Sequence, residues 1–285
     1  MKRIIAIAAL MIATVTLAIG QVGTTTGGGL TVAGVPIYGI GDNGFLYWYF
    51  HQGALNGLPR WANRGERVKV GEGWSEGLNV FKGSPRGDEG IIYRVDSKGD
   101  LYWYRHNGHA SGSPNWEGPK KVGNGWQGAR IAFAAGNGVV YVIDKNGDLL
   151  WYRHLGYLDG REEWANQANG AKVGVGWGGV RSAFAGGNGI IYAIDRKGDL
   201  YWYRHTGYQD GKFLWANGAK AMKIGNGWND AASAFSGGDG LIYAMKRDGN
   251  LYWYKHTGFS TGAATWAPGT GNRIGTGWEQ MVRIF

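Results

Sequence analysis

Across residues 180–228 short β-rich runs alternate with clusters of Gly, Asn and Asp: VRSAF, then IIYAI, then LYWYRH, then AKAMKIG. The third run splits into two alternating sets, Leu200, Trp202, Arg204 and Tyr201, Tyr203, His205, which a β-strand directs to opposite faces. Between the second and third runs, Asp195-Arg196-Lys197-Gly198-Asp199 has hairpin-turn chemistry, with Gly198 supplying the positive φ. The pattern predicts a four-stranded antiparallel meander. Large aromatics on both faces of its third strand leave no face for water, so the sheet is expected to sit between two other sheets.

The same unit occurs five times. Its first tryptophan is Trp48, Trp103, Trp151, Trp202 and Trp253, its second Trp61, Trp116, Trp164, Trp215 and Trp266, its third Trp74, Trp126, Trp177, Trp228 and Trp278. Those are all 15 tryptophans, and equivalent positions recur at 48 to 55 residues, settling at 51 in the middle of the chain. Four-stranded units of this length are the signature of a β-propeller, with a linear β-solenoid as the alternative. The chain order favours a ring. First-strand equivalents lie at Leu78 to Phe81, then in runs ending at Phe133, Phe184 and Phe235, and last at Met281 to Phe285, whereas the first unit opens with a second strand at Pro36-Ile37-Tyr38. The fold expected over residues 36–285 is therefore an all-β five-bladed propeller of four-stranded antiparallel blades, closed by the C-terminal strand joining the N-terminal blade.

Composition adds a location and removes some functions. Lys2 and Arg3, the apolar stretch Ile4 to Leu17 and the small-residue end Ala18-Ile19-Gly20 have the form of a secretory signal peptide over residues 1–20, the alternative being an uncleaved membrane anchor. Residues 21–35, with Gly27-Gly28-Gly29 and several threonines, read as a flexible lead-in. The expected location is secreted or periplasmic. There is no cysteine, so no disulfide holds the domain and burial must do so; 54 glycines without collagen periodicity imply many tight turns. The net charge of +9 comes from Lys and Arg scattered at repeated positions, which argues against a nucleic-acid stripe. Attachment to membranes is expected only through surface glycans or an uncleaved signal.

An Ile/Val-Gly-x-Gly-Trp turn closes each unit, at Val70 to Trp74, Val122 to Trp126, Val173 to Trp177, Ile224 to Trp228 and Ile274 to Trp278. Together with the β-rich strand ending in Phe, the Gly-Asp-Leu-Tyr hairpin and the Trp opening the last strand, it resembles the tachylectin-2 family of five-bladed lectins. The resemblance covers residues 36–285. It implies a non-catalytic lectin for N-acetylated amino sugars such as N-acetylglucosamine and N-acetylgalactosamine, with one shallow site per blade and multivalent attachment to glycans. The sequence departs from the family in the pairs before the second Trp, Pro59-Arg60, Pro114-Asn115, Glu162-Glu163, Phe213-Leu214 and Ala264-Thr265, where Asp-Asn is usual, a difference that the fold should survive and the sugar identity need not.

In a four-stranded blade the turn after the third strand and the connection after the fourth lie on opposite rims. His51, His106, His154, His205 and His256 end the third strands, and Trp61, Trp116, Trp164, Trp215 and Trp266 with Asn63, Asn166 and Asn217 lead into the fourth. These share one rim with Arg105, Arg153, Arg204 and Lys255, and offer the flat apolar faces and polar groups that sugars require. They are the expected carbohydrate contacts; otherwise the Trp rings are wedges between blades and the histidines satisfied strand ends. The third Trp set is expected on the opposite rim, as packing. Units three and four best keep the pattern, because unit one has Phe50, unit two Trp116-Glu117-Gly118, and unit five Pro268 at repeat positions. Replacement of Trp215 by Ala is expected to weaken binding without unfolding the ring.

No cofactor or metal is expected: turn chemistry explains Asp144, Asn146 and Asp148, and the histidines lack a metal-binding spacing. A propeller glycosidase would need a carboxylate pair, and Glu117, Glu162, Glu163 and Glu279 form no obvious one. A protein-binding scaffold is the stronger alternative. Repetition of solvent-facing motifs favours a repetitive ligand, and the ring is expected to act as a monomer.

Overall fold

A computed structural model describes residues 34–285. The expected signal peptide over residues 1–20 lies outside them, as does all of the lead-in except Gly34 and Val35, and Val35 already opens the first strand.

The strands are β1 (Val35–Gly41), β2 (Leu46–His51) and β3 (Val68–Gly71) in the first blade, then β4 (Asn79–Lys82), β5 (Ile91–Val95), β6 (Leu101–His106) and β7 (Trp116–Gly123) in the second. The third blade holds β8 (Ala129–Gly136), β9 (Val139–Asp144), β10 (Leu149–Arg153) and β11 (Ala171–Gly174), the fourth β12 (Val180–Gly187), β13 (Ile190–Asp195), β14 (Leu200–Arg204) and β15 (Met222–Gly225). The fifth holds β16 (Ala231–Gly238), β17 (Leu241–Lys246), β18 (Leu251–Lys255) and β19 (Asn272–Gly275), and β20 (Met281–Ile284) returns to the first blade. Each sheet is a four-stranded antiparallel meander, and the first has the order β20-β1-β2-β3. The five blades form the predicted ring. Phe285 completes its blade as Phe235 does the fifth: it exchanges backbone hydrogen bonds of 2.9 and 3.0 Å with Tyr38 and stacks on that ring at 5.7 Å, against 5.2 Å for Phe235 on Tyr243.

The alternation in the third strands works as the pattern predicts, with each face buried against a different neighbour. Trp202 points to the following blade, where its Nε1 donates to the Phe259 carbonyl at 2.7 Å; Trp48, Trp103, Trp151 and Trp253 make the equivalent bond. A glycine of the following blade lies flat against each indole. At Gly211, with φ +72°, a Cβ would come 2.4 Å from Trp151, so any side chain there separates the blades.

The opposite face carries a second link. Tyr141 of the third blade donates its hydroxyl to Nδ1 of His205 in the fourth at 2.8 Å, and the His205 Nε2–H donates to the Lys212 carbonyl at 2.7 Å. The same pair recurs as Tyr38–His106, Tyr93–His154, Tyr192–His256 and Tyr243–His51, so it crosses every blade boundary.

Near the ring axis the segment between β4 and β5 of the second blade spans the seam of the first. Arg86 pairs with Asp239 of the fifth blade. Lys82 is buried, its Nζ 3.4 Å from the carbonyls of Pro36 and Ser236, and burial lowers its pKa to about 7 although Asp88 pulls the other way.

Candidate functional site: aromatic clefts between blades

Strand β15 is four residues long and pairs with only Leu200, Tyr201 and Trp202 of β14, so the outer edge of the blade is about 13 Å tall at 3.3 Å per residue. Beyond that pairing, Trp215 bridges His205, and Asn217 and Gly218, both left-handed at φ +53° and +61°, turn the chain back into β15. The Trp215 indole crosses the blade boundary and donates Nε1–H to the Val173 carbonyl of β11 at 2.6 Å, packing on His205 at 4.7 Å between centroids. From the third blade comes Trp177, fixed where the Gly-x-Gly turn ends by a hydrogen bond from its backbone N–H to the Gly147 carbonyl. The two indoles meet at 6.3 Å. Tyr203 completes the group, 4.7 Å from Trp177 and 6.3 Å from Trp215.

The three rings line a cleft of about 210 Å³ with Val175, Phe213 and Ala221. At the boundary of the second and third blades Trp126, Tyr152 and Trp164 line one of about 240 Å³, with Asp144 and Glu162. At the boundary of the fifth and first, Trp278, Tyr49 and Trp61 line one of about 420 Å³, with Arg64, Arg67 and Gln280. At the other boundaries Trp116 donates to the Val70 carbonyl and lies 6.0 Å from Trp74, and Trp266 donates to the Ile224 carbonyl.

This geometry corrects the expected division between rims. The second and third Trp sets do share a site, because it is built across a blade boundary and because a four-residue strand leaves so little height that two indoles close it. The third set is a wall of the cleft as well as packing.

The histidines are also relocated. His51, His106, His154, His205 and His256 are 0% exposed, with both ring nitrogens bonded inside the protein. Burial lowers their pKa, to about 4 for His51 and His106, and each is neutral with its proton on Nε2. They support the Trp rings from beneath and present no atom to a ligand. Asn63, Asn166 and Asn217 are exposed and left-handed, each carbonyl accepting the amide of the residue three further on, and they stand outside the lining of the three clefts. Their place in the repeat is a turn requirement.

Sequence reasoning left out Tyr49, Tyr152 and Tyr203. The signal was present, since Tyr203 lies two residues before His205 on the same strand face. With every second-set indole N–H committed to a carbonyl, the clefts offer ring faces, the tyrosine hydroxyls and the backbone of the Gly-x-Gly turns.

The five-bladed ring thus carries repeated aromatic clefts at its blade boundaries, the concave apolar surfaces in which ligand sites are sought. The sequence profile described as Tachylectin matches residues 30–170 and 158–285. The chain belongs to the Tachylectin family of carbohydrate-binding propellers. No curated protein matches its sequence. Among solved structures it is similar to one reported under "The de novo evolutionary emergence of a symmetrical protein is shaped by folding constraints", at 16% identity and TM-score 0.58, covering 88% of this chain and 97% of that one. A looser likeness, at 16% identity and TM-score 0.42, links 85% of this chain to 74% of an Aleuria aurantia lectin mutant in complex with alpha-methyl-L-fucoside.

Proposed function

We propose that this chain is a secreted or periplasmic, non-catalytic lectin that acts as a monomeric ring and binds N-acetylated amino sugars in the clefts between its blades. The observation that carries the proposal is the recurrence of one three-ring cleft, Trp177, Tyr203 and Trp215 and its equivalents, at successive boundaries. Ring faces suit the C–H side of a pyranose, and a free tyrosine hydroxyl can serve a sugar hydroxyl or amide. At the third and fourth blades, Val175 and Phe213 give an acetamido methyl an apolar surface. Weak sites repeated on one ring gain about 10²- to 10⁴-fold in avidity when a glycan surface engages several together.

The test is a glycan array probed with the purified ring, with free N-acetylglucosamine and N-acetylgalactosamine as competitors. Binding that both competitors leave untouched overturns the sugar assignment. Folded protein that binds no glycan overturns the lectin assignment and favours a protein-binding scaffold.

A further inference from the structure

We infer that the cleft between the fifth and first blades takes anionic saccharides, those carrying a carboxylate or a sulfate ester, and so differs in ligand class from the other clefts; this rests on the clefts being glycan sites. The three clefts share their aromatic rings but differ in charge at equivalent positions. Aligned on the second Trp, Arg64 stands where the third and fourth blades have Gln167 and Gly218, and Arg67 where they have Gly170 and Ala221. The lining between the second and third blades carries Asp144 and Glu162 and no base. That between the third and fourth has no charged residue at all. That between the fifth and first has Arg64 and Arg67 and no acid.

These arginines are placed to bind. Arg67 is held by a 3.1 Å hydrogen bond from Nη1 to the Gln280 side chain across the boundary, with its guanidinium 4.4 Å from the Tyr47 ring centroid, which leaves donors of the fork for a ligand. Arg64 occupies the left-handed turn at φ +57°, a conformation disfavoured for such a residue and taken by glycine in the fourth blade. Among the described residues neither makes an ion pair, and Glu72 is taken by Lys69. Glu66, between the two in sequence, lies outside the lining. The extra volume, about 420 against 210 and 240 Å³, gives room for a carboxylate or sulfate beside the ring.

The test is calorimetric titration of the whole protein at low salt with two matched pairs: methyl glucuronoside against methyl glucoside, and N-acetylglucosamine 6-sulfate against N-acetylglucosamine. At least one acidic member should bind roughly tenfold tighter than its neutral twin, at one site per ring, with the advantage fading as salt rises. The preferred member identifies carboxylate or sulfate as the anion. In the double variant Arg64→Gln/Arg67→Gly, which carries the third blade's own residues, the preference should fall to near unity, while the clefts lacking these arginines still report N-acetylglucosamine binding. Equal affinity within both pairs, or a preference that survives in the folded double variant, overturns the inference and leaves the lectin assignment standing. Absence of binding by every probe overturns both.

Discussion

The Tyr243 hydroxyl donates a 2.8 Å hydrogen bond to Nδ1 of His51, joining residues 192 apart in sequence and the fifth blade to the first. Nε2 of the same ring donates to the Leu58 carbonyl at 2.9 Å, and burial of the ring disfavours its charged form. The folded pKa of about 4 lies below the ordinary 6.5. The stabilisation is complete above about pH 6.5 and is lost as pH falls toward 4, because the unfolded chain takes up protons that the folded rings refuse. Glu89, raised to about 7 by burial, pulls the other way, but it is one group against five histidines. The melting temperature should therefore drop steadily from pH 6.5 to 5. A curve flat through that window would show the histidines to be charged in the folded ring.

Trp215 links two blades as well as lining a cleft, so the expectation that its removal spares the ring gives way to a different one. Trp215→Ala removes the bond to Val173 and the packing on His205, and should cost about 3–5 kcal/mol in chemical denaturation along with binding at that cleft. Unchanged stability would mean that the indole does not hold the boundary in solution.

Tyr203→Phe is the cleaner probe of function. The Tyr203 hydroxyl has no hydrogen bond to the protein among the described residues, and its ring is kept by the substitution. Stability should change by less than about 0.5 kcal/mol, while binding at the cleft of the third and fourth blades weakens several-fold. Titration with N-acetylglucosamine checks it, and an unaltered affinity at that site would remove the hydroxyl from the contact set.

Lys82→Met should stabilise the ring. Burial holds the ammonium pKa at about 7 against an ordinary value near 10.5, so the charge carried by the unfolded chain penalises folding at pH 7 and below. Replacement by an apolar side chain of similar length should gain about 1–4 kcal/mol at pH 7, with the difference from wild type closing as pH rises toward 10.5. A loss of stability at pH 7 would show that the contacts of Lys82 with Pro36 and Ser236 outweigh its desolvation.

The alternation of Trp202 with Tyr203 and His205 showed that both faces of a blade are covered, and the late Phe285 showed where the ring closes. Both are local patterns that repeat. The site was less legible, because its walls come from different repeats. His205 finds Tyr141 64 residues back, and a histidine sealed by such a bond has the same letter as one open to water. The matching recurrence of Tyr38, Tyr93, Tyr141, Tyr192 and Tyr243 was the available clue. Trp177 and Trp215 meet although their turns lie on opposite rims of a blade, because they come from different blades on the two sides of one boundary, beside a strand of only four residues.

The pairing of β20 with β1 sets an order of events for a chain made from its N-terminus. The first blade to be synthesised is the last to be finished, since β1 keeps an open edge until residues 281–285 arrive. Unpaired edges invite association with other chains, and contacts this distant in sequence form slowly. A nascent ring thus keeps that edge exposed until β20 is made, and the pairing of β20 relieves the exposure in a single step.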